Sequence, residues 1–139
     1  MSSLHRALRG DVLVYRHDAT ERMIDPDLLA QHGRSGRTLV KTGAMRVVIT
    51  ALAAGGVLPL HGTSGPRTIQ VVEGEVICRV RERDVRLSAG DVIALGPGVR
   101  HSAHSISGAV LLLTLVHRRY AMPQSAGAKR SRKAPGGVV

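Results

Sequence analysis

The side chains that could do chemistry here are few. Seven histidines, one cysteine and a set of arginines and hydroxyls are scattered through 139 residues. His61 and His101 offer imidazoles that titrate near neutrality and whose ring nitrogens can donate, accept or bind a metal. Arg67 offers a permanent cation whose planar fork can grip a carboxylate with two parallel hydrogen bonds. Thr63 and Ser105 add hydroxyls. One fixed cation, two imidazoles and two hydroxyls suit a small anionic or polar ligand. The other candidates offer less. His5, His17, His32 and His117 show no metal-site spacing among themselves. Cys78 has Val76 and Val80 two positions to either side and reads as a small buried hydrophobe rather than a nucleophile. Gly62-Thr63-Ser64-Gly65 lacks the lysine and the following helix of a phosphate loop. No Ser/His/Asp or paired-carboxylate arrangement follows from the spacing.

The elements that must position these groups are strands. There is no Trp and no Phe, and only Tyr15 and Tyr120 carry aromatic rings. The core must therefore come from Val, Leu, Ile and Ala, of which Val and Ile favour strands. Sixteen glycines imply many turns. Short β-like segments run between turn residues: 37–41 (RTLVK), 45–53 (MRVVITALA), 68–72 (TIQVV), 75–81 (EVICRVR), 85–87, 91–95 (DVIAL), 101–106 and 109–117. A turn at Glu73-Gly74 is expected between the third and fourth, and another at Gly96-Pro97-Gly98. No stretch from 37 to 117 has a sustained helical period, and nothing leaves room for crossover helices. The prediction is an all-β, mainly antiparallel barrel or sandwich.

Residues 1–36 form an N-terminal extension. It holds a short strand expected at 12–15 and a helical turn from Asp25-Pro26-Asp27 through Ala30, stopped at His32-Gly33. Residues 118–139 lack apolar periodicity and are predicted to be disordered.

Net charge is +10. No acidic residue follows Asp91, and six of the twenty basic residues lie beyond His117, so the rest of the chain is only mildly basic. A basic tail without interleaved aromatics predicts at most weak, non-specific contact with nucleic acid. A single cysteine excludes an intramolecular disulfide. No segment is long and apolar enough to span a bilayer as a helix, and the N-terminus has no apolar secretory core. A cytoplasmic location without membrane contact is the expectation.

Two stretches go beyond generic β. They are 55–74 (GGVLPLHGTSGPRTIQVVEG) and 90–105 (GDVIALGPGVRHSAHS). Together they resemble the two motifs of the cupin family, of the small single-domain kind, RmlC-like in fold. Gly55 followed five residues later by His61 matches the opening of the first motif, and Gly74 its closing glycine. Gly90, Asp91, Gly98 and His101 match the second, with Pro97 one place late. The resemblance covers residues 37–117 and implies a double-stranded β-helix jelly roll. It also implies a homodimer paired through N-terminal strands, for which 12–15 and 37–41 are the candidates.

In that family four residues of the motifs point into the barrel and hold a divalent metal. The corresponding positions here are His61, Thr63, Arg67 and His101, so the resemblance carries two ligands over and loses two. Arg67 opposes a nearby cation. Ser105 stands where the motif has Asn. His104 is three residues from His101 and Gln70 three from Arg67, so in a simple register both point outward. Glu73 and Glu75 should be solvated.

Two functional readings follow. In one, the barrel binds a small polar or anionic molecule through Thr63, Arg67 and Ser105, without tight metal. In the other, His61 and His101 hold Fe, Mn, Ni or Zn in a dioxygenase or isomerase. A third, a nucleic-acid adaptor working through the basic tail, rests on charge alone. Arg67 decides between the first two. It is either a cation inside the cavity or a surface arginine opening a strand after Pro66.

Overall fold

The structure, a computed structural model, describes residues 12–61 and 65–117, with backbone only at Leu60 and His61. The expected disorder of 118–139 therefore lies outside the described residues. Residues 12–16 are irregular rather than the strand expected at 12–15, and a 3₁₀ turn, His17–Met23, follows them. Leu13 and Tyr15 instead pack as side chains onto the sheet. Helix α1, Pro26–His32, forms where its caps dictate. The Asp25 carboxylate accepts from the backbone N–H groups of Asp27 and Leu28, Pro26 opens the first turn, and Gly33 closes it at φ 78°.

Among the described residues seven strands follow: β1 Arg34–Thr42, β2 Met45–Leu52, β3 Val57–His61, β4 Arg67–Val80, β5 Arg83–Ser88, β6 Val92–Leu95 and β7 His101–Val116. All pair antiparallel. β1 starts three residues earlier than its apolar run suggests. The larger departure concerns β4 and β7. The segments expected on either side of a Glu73-Gly74 turn are one continuous strand, and 101–106 and 109–117 are likewise one. Gly74 (φ 83°) and Gly108 (φ 107°) do not reverse the chain; they bend it. The β4–β7 ladder slips at this corner, between Val71/Glu73 and Gly74/Val76. Extra residues in a ladder kink and twist it, and glycine adopts the required backbone without steric cost.

The bent β4–β7 ribbon is the backbone of the fold. Its first half, residues 67–73 with 109–116, joins β1, β2 and β6 in one layer. Its second half, residues 75–80 with 101–105, joins β3 and β5 in the facing layer. The sheet does not close into a ring; it is an antiparallel jelly roll. Between the layers lies an aliphatic core that includes Leu52, Ile69, Val71, Val76, Leu111 and Leu113, with Ile69, Val76 and Leu111 fully excluded from solvent. The outer face of the first layer has its own cluster, Leu39, Ile49, Ala51 and Val110, covered by Leu13, Tyr15, Met23, Ile24 and Leu29 of the N-terminal extension. That layer is thus apolar on both faces, which is why 45–53 and 109–116 read as continuous apolar runs. No helix among the described residues is long and apolar enough to cross a membrane.

Candidate functional site

Folding the ribbon at Gly74 and Gly108 brings its two ends to the same mouth of the jelly roll. Arg67 opens β4 in the first layer, paired with Leu115 and Leu95; His101 opens β7 in the second, paired with Val80 and His61. Along β4 the buried positions alternate as Arg67, Ile69 and Val71, so the same period that buries the two apolar residues drives the guanidinium inward. Arg67 is 5% exposed and His101 1%. Arg67 is an interior cation, and the alternative of a surface arginine does not hold.

The two side chains meet. Arg67 Nη1 lies 3.0 Å from His101 Nε2, and His101 Nδ1 lies 2.9 Å from the Val99 carbonyl oxygen. A carbonyl only accepts, so Nδ1 carries the ring proton; a guanidinium only donates, so Nε2 accepts. His101 is therefore a neutral imidazole whose Nε2 lone pair faces an arginine. Burial pushes the Arg67 pKa down from its ordinary value, and among the described residues no carboxylate pairs with it; His17–Glu73, Arg79–Asp84 and Arg86–Glu75 form their ion pairs elsewhere. Its Nε is buried without a hydrogen-bond partner.

The other sequence-predicted residues divide. Ser105 is buried on the same strand face as His101, about 13 Å further along β7 at the usual rise per residue. Its hydroxyl donates to the Ala53 carbonyl oxygen, and its backbone exchanges hydrogen bonds with Gly55 and Gly56. It pins the β2–β3 turn and does not join Arg67 and His101. The backbone of His61 stands opposite His101 in the β3–β7 ladder. Thr63 lies outside the described residues. His104 is exposed and Gln70 half-buried on the outward face, as the alternation predicts. Cys78 sits buried in the core, and desolvation pushes its thiol up to about 11. Arg46, which the sequence reading did not single out, and His117, which it set aside, each bury a side-chain nitrogen, Nε and Nε2, without a partner. The signal for Arg46 was its place two residues before Val48 in β2, on the interior phase.

A metal fits this arrangement poorly. The His101 Nε2 lone pair is committed to a cation, and among the described residues no three His, Cys, Asp or Glu side chains cluster so as to hold an ion.

Comparison with known proteins gives the family. Residues 48–117 match the family model described as Cupin domain. No curated protein matches the chain. Among solved structures, a conserved Streptococcus pyogenes protein of unknown function is similar at 20% identity, over 78% of this chain and 90% of that one, with a TM-score of 0.63. An RmlC-like cupin from Shewanella frigidimarina is similar at 26% identity over 61% and 77%, with a TM-score of 0.59. Salicylate 1,2-dioxygenase from Pseudoaminobacter salicylatoxidans is similar at 19% over 73% of this chain but 32% of its own, with a TM-score of 0.66. The interior histidine, the glycine corners and the family match agree: this chain belongs to the cupin domain family.

Proposed function

We propose that this chain is a small-molecule-binding cupin that holds an anionic ligand at the mouth of its jelly roll through Arg67, without a tightly bound metal. One observation carries the reading: a buried guanidinium with no carboxylate partner among the described residues and an unsatisfied Nε. Burying an uncompensated charge costs several kcal/mol even after relaxation. An anion arriving with two oxygens would satisfy the free N–H and offset that cost, and the aliphatic walls would take the ligand's apolar part.

Titration of the purified protein with propionate, followed by calorimetry, tests this. Saturable binding that Arg67→Met abolishes is the expected result. Stoichiometric iron, manganese, nickel or zinc in protein purified from metal-replete medium would overturn the metal-free part.

The ladder position of His61 opposite His101 favours a second reading, a metal-dependent enzyme of dioxygenase or isomerase type. It requires Arg67 to swing away from Nε2. In that case His61→Ala and His101→Ala would each lose metal. Homodimerisation is proposed through β1, which among the described residues pairs with β2 alone along one edge. Light scattering behind size exclusion decides it, a strict monomer at high concentration being the refuting result. For the basic tail, unchanged DNA retention after deletion of 118–139 would remove any nucleic-acid role.

A further inference from the structure

Buried side-chain nitrogens without partners are rare in folded proteins, and each calls for an explanation. Among the described residues there are three: Arg46 Nε, Arg67 Nε and His117 Nε2. They are not scattered. Arg46 pairs with Leu115 in the β2–β7 ladder, and Arg67 pairs with the same Leu115 from the other side in the β4–β7 ladder. His117 follows two residues after Leu115, its N–H bonded to the Ala44 carbonyl oxygen, while Val116 N–H bonds to that of Pro66. The end of β7 is thus strapped between the start of β2 and the approach to β4, with the three nitrogens around it.

Their direction follows from alternation. Val48, Leu113 and Leu115 pack on the interior core, whereas Val47, Ile49 and Leu112 pack on the outer cluster. Arg46 has the phase of Val48, and Arg67 that of Ile69. Both guanidinium groups therefore rise from the interior face of one layer, two strands and about 10 Å apart at their Cα atoms. None of the ion pairs described above includes either. Two uncompensated cations with a donor-capable imidazole between them form a two-point anion receptor.

We infer that the mouth of this cupin is built for a ligand with two acidic groups, a dicarboxylate, one group held by Arg67 and the other by Arg46 with His117. This rests on the reading of Arg67 as an anion anchor and extends it to the substrate class. Arg46 and His117 are rim residues that neither family motif includes.

Calorimetric titration of the full chain with succinate, propionate and inorganic phosphate tests the inference. A charge-assisted hydrogen bond contributes enough for a change of about tenfold or more in affinity. Succinate should bind at least about tenfold tighter than propionate. Arg46→Gln should bring succinate down to the propionate level while leaving propionate unchanged, with Arg46→Lys restoring part of the difference. His117→Phe should weaken succinate alone. Equal affinities for succinate and propionate in the unaltered protein overturn the two-point receptor, and that comparison needs no variant. Phosphate binding tighter than succinate overturns it too, because both cations would then share one group. If propionate itself fails to bind, or binds equally to Arg67→Met, the underlying reading of Arg67 falls and the inference with it.

Discussion

Arg67 and His101 stand at opposite ends of the β4–β7 ladder, the longest among the described residues, yet their side chains touch. Arg67 pairs with Leu115 and His101 with Val80, while Nη1 and Nε2 are 3.0 Å apart. Only the fold of the β4–β7 ribbon at Gly74 and Gly108 reconciles the two facts. The contact places a fixed positive charge against the lone pair that a cupin histidine would otherwise turn toward an ion.

If Arg67 serves binding rather than stability, replacing it should show a trade-off. Its guanidinium stays charged at working pH, with a pKa lowered by desolvation, so the folded state carries the burial cost throughout that range. Arg67→Met should raise stability by about 1–3 kcal/mol despite the lost hydrogen bond to His101. The same variant should lose the thermal shift produced by carboxylates. Differential scanning calorimetry with and without ligand reads both. A less stable variant that still responds to carboxylate contradicts the assignment.

The motif positions also predict a gain of function. Thr63→His combined with Arg67→Glu rebuilds the four-ligand pattern that the family resemblance implies. The double variant should bind cobalt at one equivalent, with the visible absorption of a protein-bound ion, and the unaltered chain should not. Titration followed by absorption spectroscopy checks this. Equal cobalt uptake by both proteins would mean that Arg67 does not exclude the ion.

The ribbon corner should tolerate no side chain at Gly74. A Cβ there would run into the Gly108 carbonyl oxygen and lie 2.9 Å from Ala109 Cα, on a backbone already at positive φ. At Gly108 the nearest atom, the Leu52 carbonyl oxygen, would be 3.7 Å away. Gly74→Ala should therefore cost about 2–4 kcal/mol and Gly108→Ala about 1–2, the latter through backbone strain alone. Urea unfolding ranks them, and the opposite order would refute the corner geometry.

Cys78 should be inert in the folded protein. Burial raises its thiol from 9.0 to about 11, so at pH 8 almost none is thiolate. A thiol reagent should react only at the rate of unfolding. Stability should fall as pH rises from about 9 to about 11, because across that window the unfolded chain loses the proton while the folded one keeps it. Cys78→Ala, compared by unfolding at pH 8 and pH 10.5, should remove that part of the slope.

Local chemistry made some elements legible in advance. Asp25, Pro26 and Gly33 each act at the place the sequence assigns them, because caps are decided within a few residues. That His104 lies on the face opposite His101, and Gln70 opposite Arg67, followed from a two-residue period once the inward face was taken from the family resemblance. The corner was misjudged as a turn because glycine at positive φ serves a reversal and a bulge equally well. What separates them is whether a partner strand continues alongside, and here β7 runs past Gly74 to pair with both halves of β4. Residues 12–15 were misjudged because an alternating apolar pattern also suits an irregular segment pressed onto a sheet, as Leu13 and Tyr15 are.

By itself the sequence determined the β class, the positions of most strands though not β3, the family, and the presence of arginine at a position where relatives carry a metal ligand. Tertiary structure alone decided that this arginine lies inside, that it meets His101, and that Arg46 and His117 gather near it. The physical reason is that alternation along a strand sets which residues share a face but not which face is buried. Ladder register sets that phase, and a single bulge reverses it. Residues 34 positions apart meet only after the ribbon has folded on its glycines.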